Sequence, residues 1–357
     1  MYRSRYGYNQ FDKVLVGVIV VIKQAKVRWG ILGAARVNER LLPAIVEANN
    51  AKLVAIASRR AGAAAEVLAK YAPDEIDVLT LDEPDALLNN PDIDAIYLPM
   101  ANEEHTEWAL KAIAQGKHVL IEKPMALKLD EIEAIEAAAI QHKVIVMEGF
   151  MYVFHPQHDA VHQLIDSGAI GDIRTVKTCF SFPMKPARLY RVNRDIEHGG
   201  GAMWDIGPYA IHTARKWFQH EPKSVIAMAN INEHGADISL SGTLDYGDGK
   251  FAQFDMSFER ARRSEYEIIG TLGGIKCETV WNNPDDTPNI SWWTDAGEQH
   301  QLELETANHF VLEVEHFSDC ILNDNTAALS LSDAKANCKT IVAALQSVVT
   351  GTNIKID

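Results

Sequence analysis

The sequence is poor in cysteine and in positive charge, and each shortage excludes a class of protein. Its 357 residues include four cysteines, far apart in the chain and without a CxxC pair: Cys179, Cys277, Cys320 and Cys338. This spacing predicts reduced, mostly buried thiols rather than a disulfide framework. Asp and Glu outnumber Lys and Arg by 49 to 34, a net charge of −15. Because such a field repels phosphate backbones, no nucleic-acid partner is predicted.

Long apolar runs are also missing. The longest, Val14–Ile22, has nine residues and is too short to span a bilayer. Lys23 and Gln24 follow it directly, where a secretory signal would have small residues for cleavage. We therefore predict that residues 1–25 are an N-terminal extension or reflect an upstream start codon. The protein is predicted to be cytoplasmic, with no membrane partner.

Residues 26–149 alternate strand-like and helix-like segments. The predicted strands are Val27–Leu32, Leu53–Ala57, Ala95–Leu98, Val119–Ile121 and Val144–Met147. The predicted helices are Leu41–Ala48, Ala63–Tyr71, Glu103–Ala114 and Leu129–Gln141. Such alternation predicts βαβ units and a parallel sheet covered on both faces. We therefore predict an α/β fold in which 26–149 form a Rossmann dinucleotide-binding domain.

After Phe150 the pattern changes to runs of strands with few helices. Helices are predicted at 156–167, His309–Leu322 and Ser332–Thr350, and strands at Thr175–Phe182 and within 223–305. The stretch DYGDGKFAQF predicts a hairpin with Gly247, Asp248 and Gly249 at its tip. We predict that 150–357 form an α+β substrate-binding and oligomerisation domain on a large, mostly antiparallel sheet. Helices on one face only would leave the other open, which predicts a homodimer or homotetramer.

The first strand leads into the loop WGILGAARVNERLLPAI. In the dinucleotide fingerprint, glycines provide a tight turn, close approach to pyrophosphate and helix packing. Here Gly33 holds the first position, Ala35 the second and Asn38 the third. One glycine of three is a weak match, and an ordinary strand–helix turn is the alternative. Because the loop opens a helix whose amides would face phosphate, we assign Gly33, Ala34, Ala35 and Arg36 to cofactor binding.

The second strand ends in Ser58, Arg59 and Arg60. NAD-preferring folds have an acidic residue near this position, which binds the ribose 2′-hydroxyl. A hydroxyl followed by two guanidinium groups suits a 2′-phosphate instead. Solvated arginines at the start of a helix are the alternative. Within a Rossmann fold the pattern predicts NADP, with NAD less favoured.

Three further segments occur in a characteristic order. They are DAIYLPMANEEHTEWALKAIAQGKHVLIEKPMA (94–126), MEGFMYVFHPQ (147–157) and GGGAMWDIGPYAIHTARKWF (199–218). Together they resemble the glucose-fructose oxidoreductase/inositol dehydrogenase (Gfo/Idh/MocA) family over about residues 26–350. The resemblance is closest to the branch with trans-dihydrodiol dehydrogenases, NADP-dependent D-xylose 1-dehydrogenases and glucose-fructose oxidoreductase. That branch has tyrosine where inositol dehydrogenases have histidine, and here the residue is Tyr209.

The resemblance implies roles for the motif residues. Glu122, Lys123 and Pro124 match the family's EKP motif, whose lysine reaches the nicotinamide and the reacting oxygen of the substrate. The Lys–Pro bond is typically cis there. Asp205 and Tyr209 match the family's motif aspartate and its acid/base residue.

The loop after the fourth predicted strand is also assigned through the family. Asn102 and His105 match residues that touch the cofactor's ribose and nicotinamide side, and Pro99 is assigned with them to cofactor binding. Two positions depart from the family pattern. Val153 stands where arginine is frequent, and Ala101 stands where proline is common. These departures predict a different substrate or packing contact.

The residues themselves support this chemistry. Asp205 and Tyr209 are four apart and so share one helix face, with Pro208 at the start of that helix or at a bend. A free tyrosine has a pKa of about 10. We expect the Lys123 ammonium to lower the pKa of Tyr209, so that the phenol can take a hydroxyl proton. Lys123 would polarise the oxygen and Asp205 would orient or bind the sugar. A surface lysine and a core tyrosine are the alternatives.

Other candidates are assigned to structure rather than chemistry. His158 and His162 are one turn apart near His155, but no third ligand follows, so a polar helix face and no metal are predicted. Arg191 and Arg194 are predicted to be exposed, with substrate contact as the alternative. Four aromatic residues are predicted either to line a sugar-stacking wall or to pack in the core: Phe180, Phe182, Trp204 and Trp217.

The predicted function is hydride transfer between NADP and C1 of an aldose such as D-xylose or D-glucose. The near alternatives are trans-1,2-dihydrodiol oxidation and aldose–aldose transhydrogenation with tightly bound NADP. A non-catalytic NADP-binding regulator is the alternative of another class. Because regulators in the family tend to lose the lysine or the acid/base residue, retention of Lys123 and Tyr209 favours an enzyme. The predicted partner is a small sugar or cyclic diol.

Overall fold

A computed structural model describes residues 25–281 and 287–356. Of the extension predicted at 1–25, all but the last residue lie outside the described residues. The described chain forms two β-sheets with helices packed on them, and a cleft lies between the two parts. None of the helices in these ranges has the length and apolar composition needed to cross a bilayer.

The first sheet is parallel and mostly buried. Its strands are β1 (Val27–Leu32), β2 (Ala51–Ala57), β3 (Leu79–Leu81), β4 (Ala95–Leu98), β5 (His118–Glu122) and β6 (Val146–Gly149). Their order is β3-β2-β1-β4-β5-β6, with every neighbouring pair parallel. The order reverses between β1 and β4, which opens a crevice at their carboxyl ends. This is the predicted Rossmann arrangement.

Five helices accompany this sheet. They are α1 (Asn38–Glu47), α2 (Ala63–Tyr71), α3 (Pro84–Leu88), α4 (His105–Ala114) and α5 (Leu129–His142). The predicted strands and helices of this region agree with the structure to within three residues at either end. Strand β3 and helix α3 were not predicted. Because β3 is a three-residue edge strand with no buried residue, it lacks the apolar run that marks the other strands.

The second sheet is large and mostly antiparallel. Its strands are β7 (Ile173–Ser181), β8 (Ser224–Ile231), β9 (Asp237–Gly247), β10 (Lys250–Ser257), β11 (Arg263–Gly270), β12 (Gly273–Glu278), β13 (Asn289–Thr294), β14 (Gln299–Leu302) and β15 (Ile354–Lys355). Their order is β14-β13-β12-β11-β7-β10-β9-β8-β15, and β7 and β10 form a parallel pair. The helices that follow β6 in the chain are α6 (Gln157–Asp166), α7 (Ala202–Asp205), α8 (Gly207–Phe218), α9 (His309–Asn323) and α10 (Leu331–Thr350). The predicted α+β architecture is therefore confirmed.

One face of this sheet is covered by no other element within residues 25–281 and 287–356. Helices α8 and α10 pack on the other face, while Ile226 and Met228 of β8 point outward, the latter 77% exposed. A concave cavity of about 690 Å³ lies over β7 to β12 on the outward side. The predicted hairpin joins β9 to β10, with positive φ angles of 80°, 54° and 73° at Gly247, Asp248 and Gly249. Glycine is favoured in this left-handed region because it has no Cβ.

His158 of α6 is buried, so the predicted polar helix face is wrong for this residue, whereas His162 is partly exposed. The Nδ1 of His158 lies 3.0 Å from the Tyr266 hydroxyl, and its ring centre is 6.0 Å from that of Trp217. His158 therefore belongs to the contact between α6, α8 and the covered face of the sheet. His155 is buried just before α6, and its ring centre is 6.1 Å from that of His309.

Helix α9 follows the second sheet in sequence but packs on the first. The indole Nε1 of Trp29 in β1 donates to Ser318 Oγ at 3.0 Å, and the Trp29 and Phe317 ring centres are 5.6 Å apart. Asn50 Nδ2 donates to the Glu315 carbonyl at 2.8 Å. The domain boundary at 149/150 stays a prediction. The chain nevertheless returns to the first sheet after completing most of the second.

We expect Ser318→Ala to lower the free energy of unfolding by about 1–3 kcal/mol, because the buried Trp29 indole loses its acceptor. Denaturant unfolding followed by circular dichroism measures the change. Ser332→Ala, at an exposed position in α10, is the matched control and should change stability by no more than about 0.5 kcal/mol. Equal stability of the two variants would contradict the proposed role of this hydrogen bond.

Candidate active site

Lys123 lies at the carboxyl end of β5, and its side chain is only 11% exposed. The peptide bond to Pro124 is cis, as the family match implies. The Lys123 Nζ donates to the Asp205 carbonyl at 2.6 Å and lies 3.5 Å from Asp205 Oδ1. The surface-lysine alternative is therefore excluded. The ammonium is directed into the cleft and anchored by the second domain.

Tyr209 lies in the first turn of α8, where Pro208 occupies a position that needs no helical N–H. The phenol ring is 7% exposed, and the Lys123 Nζ lies 4.9 Å from its centre. The hydroxyl makes a weak contact of 3.6 Å with Met151 Sδ. The structure therefore brings the two predicted catalytic groups together, with the ammonium over the ring face.

The predicted lowering of the Tyr209 pKa is wrong. Burial raises this pKa well above its usual value, and the nearby carboxyl groups of Glu122 and Glu313 raise it further. Burial disfavours an ionised phenol, and the Lys123 ammonium is near the ring rather than hydrogen-bonded to the hydroxyl. The Lys123 pKa moves the other way and is lowered to about 8 by burial. At neutral pH the site therefore holds a neutral phenol beside an ammonium.

Asp205 is the last residue of α7 and is buried between two cations. Its Oδ1 forms an ion pair with the Arg191 guanidinium in addition to its contact with Lys123. The Arg191 side chain is 31% exposed, so it is partly buried and the prediction that it is exposed is wrong. The turn Pro186–Arg191 folds back over the cleft because the Arg191 carbonyl accepts from Gly201 N at 2.9 Å. Predicted binding of sugar by Asp205 stays a prediction.

Arg194 lies further along the same loop. Its side chain is 43% exposed and pairs with Glu103 of the first domain, so its predicted exposure is confirmed. The Asn102 side-chain amide makes a second bridge and donates to the Gly199 carbonyl at 3.0 Å. These contacts hold the loop of the second domain against the loop that follows β4.

The carboxyl groups of the EKP region are buried and partnered. The Tyr97 hydroxyl donates to Glu122 Oε1 at 2.5 Å, and burial raises the Glu122 pKa. Glu148 Oε1 accepts from Met125 N at 2.8 Å, and burial raises the pKa of this carboxyl to about 8. Both residues fix the backbone on either side of Lys123.

The glycine loop has the geometry of a phosphate cradle. Gly33 has a φ of +134°, and a Cβ added there would lie 3.1 Å from Met100 Sδ. At the third fingerprint position, Asn38 Nδ2 donates to the Gly33 carbonyl at 2.8 Å, so this amide stabilises the turn without a glycine. The sequence places Asn38 at the third fingerprint position but does not predict this hydrogen bond, because its partner lies five residues away in a folded turn.

One cavity of about 200 Å³ brings together most of the predicted cofactor residues. Its lining includes Ala35, Arg36, Pro99, Asn102, His105, Glu122 and Lys123. Gly33, Ala34 and Pro124 lie beside these residues in the chain and are not part of the lining. The cavity begins beside the N-terminus of α1, whose macrodipole favours anions.

His105 supports this cavity from within the first domain. Its Nδ1 lies 2.7 Å from the Pro124 carbonyl and its Nε2 lies 3.1 Å from the Met100 carbonyl. Burial lowers the His105 pKa to about 4, so the ring is neutral at pH 7. His105 therefore positions the backbone after the EKP motif. Its predicted contact with the cofactor stays a prediction.

The three residues after β2 lie outside both cleft cavities. Ser58 Oγ accepts from Arg60 N at 3.2 Å. The Arg59 guanidinium pairs with Glu104 at 2.6 Å, and that of Arg60 pairs with Glu66 at 3.4 Å. Both guanidinium groups are more than half exposed. Their predicted role with a 2′-phosphate stays a prediction.

A second cavity of about 210 Å³ shares Arg36, Glu122, Lys123, Arg191 and Asp205 with the first and adds Tyr209. Its wall also contains the following residues: Met151, Phe180, Phe182, Arg188, Trp281, His309 and Phe310. Phe180 and Phe182 therefore line the cleft. The Trp204 indole N–H donates to the Ile196 carbonyl, and Trp217 packs in the core against the Tyr266 ring. The sequence analysis did not identify Trp281 as a cleft residue, because its ring comes within 5.3 Å of the Phe180 ring only when the strands of the second sheet pair.

The joined cavities place two hydrogen-bond donors, an ammonium and a neutral phenol, beside an anion-binding cradle. A carbonyl or hydroxyl oxygen near both groups would be polarised and could exchange a proton. This is the arrangement needed to interconvert an alcohol and a carbonyl next to a dinucleotide.

Comparison with known proteins gives relatives over nearly the whole chain. D-xylose 1-dehydrogenase (NADP(+)) 2 of Haloferax volcanii is 28% identical over 92% of this chain and 99% of its own. Trans-1,2-dihydrobenzene-1,2-diol dehydrogenase of Xenopus laevis is 28% identical over 86% and 94%. A 3-ketoreductase from Actinomadura kijaniata, solved with NADP and TDP-benzene, superposes with a TM-score of 0.83 at 27% identity, over 90% and 98%.

Two family models match in succession. Residues 27–150 match the oxidoreductase family with an NAD-binding Rossmann fold, and residues 158–276 match the GFO/IDH/MocA C-terminal domain. The two matches cover more than half of the chain, and the relatives include the branch that the motifs indicate. The chain belongs to the Gfo/Idh/MocA family of oxidoreductases.

Proposed function

We propose that the protein is an NADP-dependent oxidoreductase that transfers hydride between the nicotinamide and C1 of an aldose. The observation that carries the proposal is the Lys123 Nζ, 4.9 Å from the Tyr209 ring centre where the two cavities join. The Haloferax volcanii relative, a D-xylose 1-dehydrogenase, supports the reaction class and the cofactor. The four free cysteines are consistent with the predicted cytoplasmic location.

The residues present fit a dinucleotide. The positive φ of Gly33 and the α1 N-terminus form a cradle for the pyrophosphate. Ser58, Arg59 and Arg60 would hold the 2′-phosphate. NADP in the Actinomadura kijaniata structure supports this choice. When bound, the nicotinamide supplies or accepts the hydride.

The remaining chemistry belongs to the side chains. Lys123, held by Asp205, donates to the substrate oxygen and stabilises negative charge as it develops there. Tyr209 stays protonated because burial raises its pKa, so it donates the proton when a carbonyl is reduced. When the alcohol is oxidised, the phenolate form of Tyr209 accepts the hydroxyl proton and becomes the neutral phenol again. Asp205 and Arg191 keep the ammonium in position.

A cyclic trans-diol is the second candidate substrate. The cleft wall combines the rings of Phe180 and Trp281, stacked at 5.3 Å, with Phe182. Such a wall packs on a flat, partly unsaturated ring at least as well as on a sugar. The name of the Xenopus laevis relative gives trans-1,2-dihydrobenzene-1,2-diol, a diol of this kind, as its substrate.

The proposed function is tested with the purified protein, NADP⁺ or NAD⁺, and a panel of aldoses, polyols and cyclic diols. We expect reduced-nicotinamide absorbance to rise with at least one aldose, and with NADP⁺ faster than with NAD⁺, because the two guanidinium groups favour a 2′-phosphate. Faster turnover of a trans-diol would select the second candidate. No turnover of any compound, together with NADP binding, would support the regulator alternative.

We expect Lys123→Met to lower kcat by about 10²–10⁴-fold, because the oxygen loses its charged donor while the cleft keeps its shape. NADP binding, measured by isothermal titration calorimetry, should remain within about threefold, since most cradle contacts lie elsewhere. Lys52→Met, at an exposed position in β2, is the control. Turnover by Lys123→Met at the wild-type rate would refute the assignment.

The Lys123 pKa predicts a pH dependence. The ammonium is the active form, and its pKa of about 8 means that this form is lost as the pH rises through 8. We expect kcat/KM for carbonyl reduction to be constant from about pH 6 to 7.5 and to fall about tenfold per unit well above 8. NADPH affinity measured at each pH separates this effect from loss of cofactor. A profile that stays flat to pH 10 would contradict the assignment.

We also propose that a second copy of the chain covers the open face of the second sheet, giving a homodimer or a homotetramer. Apolar Ile226 and Met228 lie on this face beside a cavity of about 690 Å³, and covering them would remove apolar surface from water. Lys177 pairs with Glu267, and Lys276 pairs with Glu265 and Glu278, so a symmetric partner would cover charges that are already neutralised within the chain.

We expect Met228→Glu to shift the protein from dimer or tetramer to monomer, because burying an unpaired carboxylate in the interface is unfavourable. Size-exclusion chromatography with light scattering measures the mass. The control is Ile140→Glu, an exposed apolar position on α5 that is 74% exposed and distant from this sheet. A wild-type protein that is monomeric at micromolar concentration would overturn the proposal.

A further inference from the structure

Arg188 is a cation in the substrate cavity without a charged partner. It lies on the turn Pro186–Arg191 and contributes to the wall that also contains Lys123 and Tyr209. Its guanidinium carbon is 5.2 Å from the centre of the Phe182 ring. Within residues 25–281 and 287–356, the guanidinium has neither a hydrogen bond nor an ion pair. Its donors are therefore available to a ligand.

The neighbouring cations of the cleft differ from Arg188 in this respect. Arg191 is paired with Asp205, and Arg36 lies 3.4 Å from Glu39. Their charges are at least partly balanced by carboxylates of the chain. A guanidinium that lines a cavity without such a carboxylate attracts anions into that cavity.

The position of Arg188 separates it from the proposed cofactor cradle. The cavity beside the glycine loop is lined by Arg36, Arg191 and Arg194, and Arg188 is not part of that lining. It belongs to the cavity that contains the Tyr209 phenol and the Phe180 ring. An anion bound by Arg188 would therefore be part of the substrate rather than of the dinucleotide.

The contact with the Phe182 ring orients the Arg188 guanidinium for binding an anion. Stacking on an aromatic face restricts the side chain and leaves its in-plane N–H groups free. A planar guanidinium then binds a carboxylate or a phosphate through two parallel hydrogen bonds. Because Lys123 and Arg188 line one cavity of about 210 Å³, one small molecule can contact both.

We propose that the substrate carries an anionic group, a carboxylate or a phosphate, away from the reacting carbon, and that Arg188 binds this group. The inference rests on the proposed sugar oxidoreductase function and narrows its substrate class to acidic sugars. Arg188 is thus a specificity residue, and Lys123 and Tyr209 remain the groups at the reacting oxygen.

The test compares three aldoses with the same anomeric carbon: D-glucose, D-glucuronate and D-glucose 6-phosphate. With NADP⁺ we expect kcat/KM for at least one charged sugar to exceed that for D-glucose by about tenfold or more, as charge-assisted hydrogen bonds imply. A preference for glucuronate identifies a carboxylate, and a preference for the 6-phosphate identifies a phosphate. A kcat/KM for D-glucose equal to or above both would overturn the inference and leave the proposed function standing.

Arg188→Met tests the residue, since methionine keeps an apolar chain on Phe182 without the charge. We expect the ratio of charged to neutral kcat/KM to fall about tenfold or more. Arg262→Met is the matched control: Arg262 lies 5.8 Å from the same ring but outside the cavity wall, so the ratio should persist. Because the ratio is internal to each variant, a fraction of misfolded protein does not change it. An unchanged ratio in Arg188→Met would overturn the inference.

A binding measurement separates this inference from the proposed reaction. We titrate the NADP-loaded protein with 1,5-anhydro-D-glucitol and with its 6-phosphate and 6-carboxylate analogues, none of which has the reacting hydroxyl. Tighter binding of a charged analogue, lost in Arg188→Met, supports the anion site even if no aldose is oxidised. Equal or weaker binding of both charged analogues counts against it, whatever the outcome of the activity assays.

Discussion

The hydrogen bond from the Lys123 ammonium to the Asp205 carbonyl is the contact on which the site depends. It joins the carboxyl end of a parallel strand in one domain to the end of a short helix in the other. Beside this contact, the negative charge of Asp205 Oδ1 interacts with two cations, the Lys123 ammonium and the Arg191 guanidinium. Because the ammonium is buried, moving the two domains apart would expose it and remove its partner together. The cleft geometry and the protonation state of Lys123 are therefore coupled.

Burial governs the protonation states in the cleft more than pairing does. The Lys123 pKa falls to about 8 although carboxylates lie nearby, and the Tyr209 pKa rises although an ammonium lies nearby. Both shifts favour the uncharged form, as removal from water requires. The site therefore supplies proton donors already in place rather than a preformed phenolate, and an approaching oxygen completes their hydrogen bonds.

The sequence was sufficient for the parts of the structure that are local and for those that carry the family's motifs. Buried strands and helix periods predicted both sheets, and the resemblance to the family implied the position of Lys123 and its partnership with Tyr209. The sequence was insufficient for contacts between distant segments outside these motifs. The ion pair between Arg191 and Asp205 depends on an irregular loop without periodicity, and the raised Tyr209 pKa depends on enclosure by residues from several strands. Neither leaves a pattern along the chain.

Helix α9 gives the molecule an interlaced architecture. The N-terminal sheet acquires one of its covering helices only after most of the second sheet has been made, through Trp29 and Ser318. Trp29 and Ser318 are 289 positions apart. During synthesis, β1 therefore cannot pack against α9 until almost the whole chain has been made. Exchange of nucleotide-binding halves between homologues would consequently require two crossovers, one on each side of the inserted sheet.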